Sequence, residues 1–149
     1  MRRTRYVLLP LAGFCGVLAL TLVQAGSVYA DPYGAQSALV ALSGQGAGEA
    51  IVAPTASLGH GVFDARVTIN IHQTSPNTTF SIIRAADPVP DGVCTGTFGQ
   101  VAQLTTSPGG AGAVAFERTG ALSNFDLRIE AVASDGTVLQ SECMTITVK

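Results

Sequence analysis

The chain is poor in the residues on which several classes of enzyme depend. It has no tryptophan, two histidines and three cysteines among 149 residues, and only 12% of its residues are charged. Two histidines are too few for a copper-zinc superoxide dismutase, and a catalytic zinc ion normally takes three protein ligands. The chain also lacks the Gly-x-Ser-x-Gly elbow that positions a serine nucleophile. We therefore expect no enzyme, and a metal-dependent or hydrolytic enzyme is the alternative.

Positive charge is scarce beyond the first thirty residues. Ten acids follow residue 30, and they outnumber the five remaining bases, which leaves a net charge of −5. These bases are Arg66, Arg84, Arg118, Arg128 and Lys149. They form no basic run, and the aromatic residues occur singly, so that neither phosphate attraction nor a base-stacking platform is available. The sequence argues against nucleic acid as a partner, and no pattern in it requires a cofactor.

The longest apolar run lies at the start of the chain. Three arginines within the first five residues precede the nearly uncharged segment Tyr6–Val23, and small residues lead to Ala30. This order is typical of a helical secretory signal peptide that is cleaved after Ala30. The run is also almost long enough to cross a bilayer, so an uncleaved anchor is the alternative. We expect residues 1–30 to be a signal peptide and residues 31–149 to form one domain that is secreted, periplasmic or at the cell surface.

Export would leave two cysteines. Cys15 lies in the signal peptide, whereas Cys94 and Cys143 remain in the mature chain. An oxidising compartment permits a disulfide between them, and closing so long a loop stabilises a small domain. A redox-active pair would ordinarily lie close together in sequence beside a helix start. We therefore predict a structural Cys94–Cys143 disulfide.

The mature chain shows the alternation of apolar and polar residues that is typical of β-strands. The pattern is clearest at Phe63–His72 and Phe125–Ala131. In the second segment, the alternation predicts that Asp126, Arg128 and Glu130 face water. No stretch after Ala30 shows a sustained helical stripe, and turns rich in Gly, Pro, Asn and Asp separate the strands.

Shorter runs complete a total of about eight strands. They are Ser37–Leu42, Glu49–Thr55, Thr79–Arg84, Thr97–Thr105, Ala113–Arg118 and a last run from Met144 to Val148. Regular spacing of short strands predicts an all-β domain, a single antiparallel sandwich of about seven or eight strands. We expect its topology to be immunoglobulin-like.

Four short motifs in the middle of the chain resemble small secreted bacterial β-sandwich proteins of unassigned function. The motifs are Pro76-Asn77-Thr78-Thr79-Phe80, Cys94-Thr95-Gly96-Thr97-Phe98, Leu104-Thr105-Thr106 and Gly109-Gly110-Ala111-Gly112. The resemblance implies a secreted sandwich and no catalytic residue. Antibody-type domains fit less well, because they pack a buried tryptophan against their inter-sheet disulfide.

The loop before Cys94 is the candidate binding surface. It contains Asp87, Asp91 and Gly92 together with two prolines, and the disulfide would pin it to the last strand. Ordered loops on a rigid scaffold commonly carry binding functions. We therefore expect a non-catalytic module with a binding or structural role, whose partner would be an envelope component, another protein or a second copy of the chain. Calcium at Asp87 and Asp91 is an alternative, and capping of turns by these carboxylates is the simplest role for them.

Overall fold

Nine β-strands make up the regular structure that the computed structural model describes, which covers residues 34–57, 63–121 and 123–148. The strands are β1 (Ala35–Ser43), β2 (Ala47–Ser57), β3 (Phe63–His72), β4 (Thr79–Asp87), β5 (Phe98–Thr105), β6 (Gly112–Ala121), β7 (Phe125–Ala133), β8 (Val138–Ser141) and β9 (Met144–Ile146). The predicted all-β class is confirmed. Only β8, a strand of four residues, was not predicted.

The strands form a nearly closed antiparallel sheet. Its hydrogen-bonded order is β5-β4-β7-β8-β1-β2-β3-β6, and β9 continues the pairing of β7 beyond β8. The two ends of this path, β5 and β6, approach each other at Gly112, where an added Cβ would lie 2.9 Å from Leu104 Cδ1. The absence of a side chain at Gly112 thus allows the sheet edges to meet at this end.

The strand order differs from that of an immunoglobulin constant domain. Here β2 lies between β1 and β3, whereas the second strand of the constant domain lies between the first and the fifth. The strand order therefore does not support an immunoglobulin-like topology, and the immunoglobulin-like sandwich stays a prediction.

A single apolar core draws on all nine strands. In β3 the alternating apolar residues Ala65, Val67, Ile69 and Ile71 are buried. They meet residues from the far half of the sheet, among which Phe80, Ile82, Ile129 and Leu139 are fully buried. The alternation of apolar and polar residues in the sequence thus gives a nearly closed sheet whose inner side is apolar.

Threonines close the end of the sheet at which β5 turns into β6. The Thr106 hydroxyl accepts the Thr78 N–H at 2.9 Å and donates to the Ser75 carbonyl at 2.8 Å. The Thr74 N–H and hydroxyl both donate to the Gly110 carbonyl. These bonds fasten the connection between β5 and β6 onto the connection between β3 and β4.

Gly110 should be the glycine least tolerant of substitution in this region. Its φ is +72°, and an added Cβ would lie 2.1 Å from the Thr74 carbonyl oxygen. Gly110→Ala is expected to lower the free energy of unfolding by about 3 kcal/mol, since left-handed strain and overpacking add. Gly136→Ala is the matched control: its φ is +90°, but no atom lies within 4 Å of the added Cβ. It should cost only about 1 kcal/mol, and equal losses in urea unfolding would contradict the packing argument.

The predicted signal peptide lies outside the described residues. Within the three described ranges there is no helix of the length and hydropathy that crossing a membrane requires.

Candidate functional site: a stapled loop beside an arginine cleft

The predicted disulfide is confirmed. Cys94 and Cys143 are bonded, their Cα atoms lie 5.7 Å apart, and 49 positions separate them in sequence. Cys143 lies between β8 and β9, and Cys94 lies in the connection between β4 and β5. We refer to this connection, residues 88–97, as the stapled loop. The disulfide fixes its middle to the last part of the sheet.

Asp87 closes the stapled loop upon itself. This last residue of β4 is 6% exposed, and its carboxylate accepts N–H groups from Val89 and Thr95, both at 3.0 Å, as well as the Thr95 hydroxyl. The hydrogen bond from the Thr95 hydroxyl is the largest cause of a lowered Asp87 pKa, and the two backbone N–H groups lower this pKa further. The carboxylate therefore joins the first and last parts of the loop.

Asp126 joins the stapled loop to the sheet. The prediction that Asp126 faces water is wrong, because its side chain is completely buried. Its carboxylate accepts the Gly92 N–H and the Thr145 hydroxyl, each at 2.6 Å. At this position β7 pairs with β4 on one side and β9 on the other, so the bond to Gly92 places the stapled loop over a central position of the sheet. The alternation of apolar and polar residues within β7 could not show that the stapled loop covers Asp126.

The predicted site residues Asp87, Asp91 and Gly92 have different roles in the structure. Asp91 and Gly92 are exposed. Asp91 caps a turn by accepting the Val93 N–H at 2.9 Å, whereas Gly92 has a φ of +81° and donates its N–H to Asp126. All three residues thus shape the loop from within. The surface that the loop offers outward includes Val89 and Val93, which are 56% and 55% exposed.

A polar cleft of about 460 Å³ adjoins the stapled loop. Its lining consists of Arg84 and Ala86 from β4, Arg118 from β6, and Thr97, Gly99, Gln100 and Val101 at the end of the loop and the start of β5. We refer to it as the arginine cleft. No ladder joins β5 to β6 among the described strands, and the cleft lies between these two edges.

The described residues that line the cleft include two arginines and no acid. Arg84 Nε is buried and has no hydrogen-bond partner among the described residues. Arg118 lies over the Phe116 ring at 5.6 Å from its centroid. Burial lowers the pKa of Arg84, and the nearby positive charge of Arg118 lowers it further. A guanidinium nevertheless remains charged in proteins. Sequence reasoning missed this pair, because only the near closure of the sheet brings β4 and β6 to one cleft.

The described part of the chain contains no cluster of side chains for the metal-ion alternatives. There, no three side chains of His, Cys, Asp or Glu are grouped so that they could hold a metal ion. His72 is exposed at the end of β3, and His60 lies outside the described residues. Both oxygens of Asp87 already accept hydrogen bonds from the loop, which is the turn-capping role considered for it beside calcium.

Comparison with known proteins adds no assignment. No protein-family model matches the chain, and neither the curated proteins nor the solved structures include a significant match to it.

Acid should weaken the fold through Asp87. Because its pKa is lowered in the native state, its contribution is complete above the ordinary aspartate pKa of about 4. The contribution is lost as the pH falls through the lowered native value. Asp135 behaves alike, since the Thr137 N–H lowers its pKa. In urea unfolding below pH ~4, Asp87→Asn should reduce the slope of stability against pH, and the double variant with Asp135→Asn should reduce it further. An unchanged slope in Asp87→Asn would refute this role.

Proposed function

We propose that the protein is an exported, non-catalytic binding module and that the stapled loop contacts its partner. The observation that carries the proposal is a contrast within the loop. Its backbone is fixed by the disulfide and by two carboxylates, yet Val89 and Val93 are more than half exposed. The partner is an envelope component, another protein or a second copy of the chain.

The energetics of binding support a role for a fixed loop. A flexible loop loses conformational freedom when it docks, and this loss subtracts from the affinity. The stapled loop has already lost that freedom on folding, because Cys94, Asp87 and Asp126 hold it at three places. Exposed valines on such a surface can then contribute their apolar burial to binding with little further ordering cost.

Export is supported by two features of the chain. The first is the sequence of residues 1–30, with its basic start, its apolar run and the small residue Ala30. The second is the disulfide, since structural disulfides persist mainly in oxidising compartments. An immunoglobulin-like sandwich belongs to the same proposal: it is supported by the antiparallel pairing of many short strands around one core.

Site-specific photo-crosslinking in the native host tests the loop's role. A photoreactive amino acid in place of Val93 should give one discrete adduct, because this side chain lies on the proposed contact surface. The same amino acid in place of Val40 is the matched control, since Val40 is 60% exposed on β1, which pairs with β2 and β8 and not with β4 or β5, the strands that flank the loop. Adducts from both positions, or from neither, would contradict the proposal.

A further inference from the structure

The side chains that line the arginine cleft do not fill it. The connection between β5 and β6, residues 106–111, holds the two edges together at one end. Gly99 on β5 and Arg118 on β6 each lie six residues from that end, where the edges border the cleft instead. An added Cβ on Gly99 would meet no atom within 4 Å. The strand thus leaves open space beside the arginines.

The positive charge of the two arginines in the cleft is not balanced by an acid among the residues that line it. Arg84 Nε is buried and has no acceptor in the part of the chain that the structure describes, which is a costly state for a donor on a charged group. Among the described residues, the charged side chain that shifts the pKa of Arg84 is another cation, Arg118, and it lowers this pKa after the larger effect of burial. Guanidinium groups form strong, directional pairs of hydrogen bonds with planar or tetrahedral oxyanions. An oxyanion between the two arginines would supply the missing acceptor and reduce their repulsion.

The rest of the lining suits a polar ligand larger than a bare ion. Thr97 and Gln100 line the cleft beside the arginines, and a hydroxyl and an amide can both donate and accept hydrogen bonds. The volume of about 460 Å³ falls within the range of small-molecule sites. We propose that the arginine cleft binds an oxyanion group carried by a small polar molecule about the size of a sugar acid. This site uses other residues than the loop contact proposed above, so each proposal can fail without the other.

Titration with three probes tests the ligand class. The protein is recovered from its host with the disulfide intact, and glucuronate, glucose and inorganic phosphate are added in turn while amide shifts are followed by NMR. Glucuronate should bind saturably in the millimolar range, more tightly than phosphate, and glucose should not bind. Equal binding of phosphate and glucuronate would overturn the part of the proposal that concerns the carrier. No saturable binding of either anion would overturn the site itself.

Three arginine variants locate the binding. Arg118→Gln should weaken glucuronate binding about tenfold or more, because it removes a charged donor from an exposed position. Arg66→Gln is the matched control: Arg66 is an exposed arginine on β3 that does not line the cleft. Weakening by Arg66→Gln as large as that by Arg118→Gln would show a general charge effect and overturn the proposal. Arg84→Met should abolish binding.

Thermal unfolding separates a ligand site from a structural role. Arg84→Met removes a half-buried charged group whose Nε has no acceptor among the described residues, so the Tm should stay the same or rise. Glucuronate should raise the Tm of the wild-type protein and of Arg66→Gln, but not that of Arg84→Met. A large fall in the Tm of Arg84→Met, with the response to glucuronate retained, would assign Arg84 to the fold and overturn the proposal.

Discussion

Replacing Cys94 and Cys143 together by serine is expected to lower the free energy of unfolding by about 4 kcal/mol. The disulfide closes a loop across 49 positions, and a cross-link of this span removes about that much free energy of disorder from the unfolded chain. Urea unfolding of the variant, compared with the oxidised wild-type protein, measures the loss directly. Far-UV circular dichroism should remain that of a β-protein, since each of the nine strands is hydrogen-bonded to a neighbouring strand.

The reduced wild-type protein is the control for this experiment. It keeps both cysteine side chains and loses only the covalent bond, so its stability should fall close to that of the double serine variant. A midpoint that is the same for the oxidised protein, the reduced protein and the variant would mean that the cysteines are not joined in the native state.

Asp126→Ala is expected to cost about 3 kcal/mol. The Asp126 side chain is completely buried and accepts the Gly92 N–H and the Thr145 hydroxyl. Removing it leaves donors without an acceptor and a small cavity, and each effect carries its own penalty. Urea unfolding measures the loss, and amide hydrogen exchange at Gly92 should become faster, because the loop loses its bond to the sheet.

Asp64→Ala is the matched control for the buried carboxylate. Asp64 accepts the Thr119 hydroxyl at 2.8 Å in a solvent-exposed hydrogen bond, so water can replace the lost acceptor. We expect a loss below about 1 kcal/mol. If Asp64→Ala and Asp126→Ala were equally destabilising, burial of the Asp126 network would not be what holds the stapled loop.

Sequence reasoning could find most strands because alternation reports which side of a strand is apolar. Phe63–His72 and Phe125–Ala131 were found in this way, and β3 and β7 contain them. Alternation fails where a strand is very short, as in β8, and it fails where both sides of a strand are covered. Asp126 is the second case, because its cover comes from a loop whose path no local pattern encodes.

The candidate site was predictable only in part, for a similar reason. The number of cysteines that remain after the predicted signal peptide was enough to predict the Cys94–Cys143 bond. That bond in turn predicted an ordered loop that contains Asp87, Asp91 and Gly92. The arginine cleft depends on β4 and β6, which are not neighbours in the sheet order and meet across its open edge. Such a pairing is fixed by the closure of the whole sheet, and the separate strand patterns of Arg84 and Arg118 do not reveal it.

The intact mass of the protein recovered from its host is the most direct test of an exported and disulfide-stapled module. The spectrum is taken with and without reductant. We predict the mass of Asp31–Lys149 less two hydrogens, and a gain of two hydrogens on reduction. A mass that begins at Met1 would contradict cleavage after Ala30, and a mass that reductant leaves unchanged would contradict the staple on which the proposed binding loop depends.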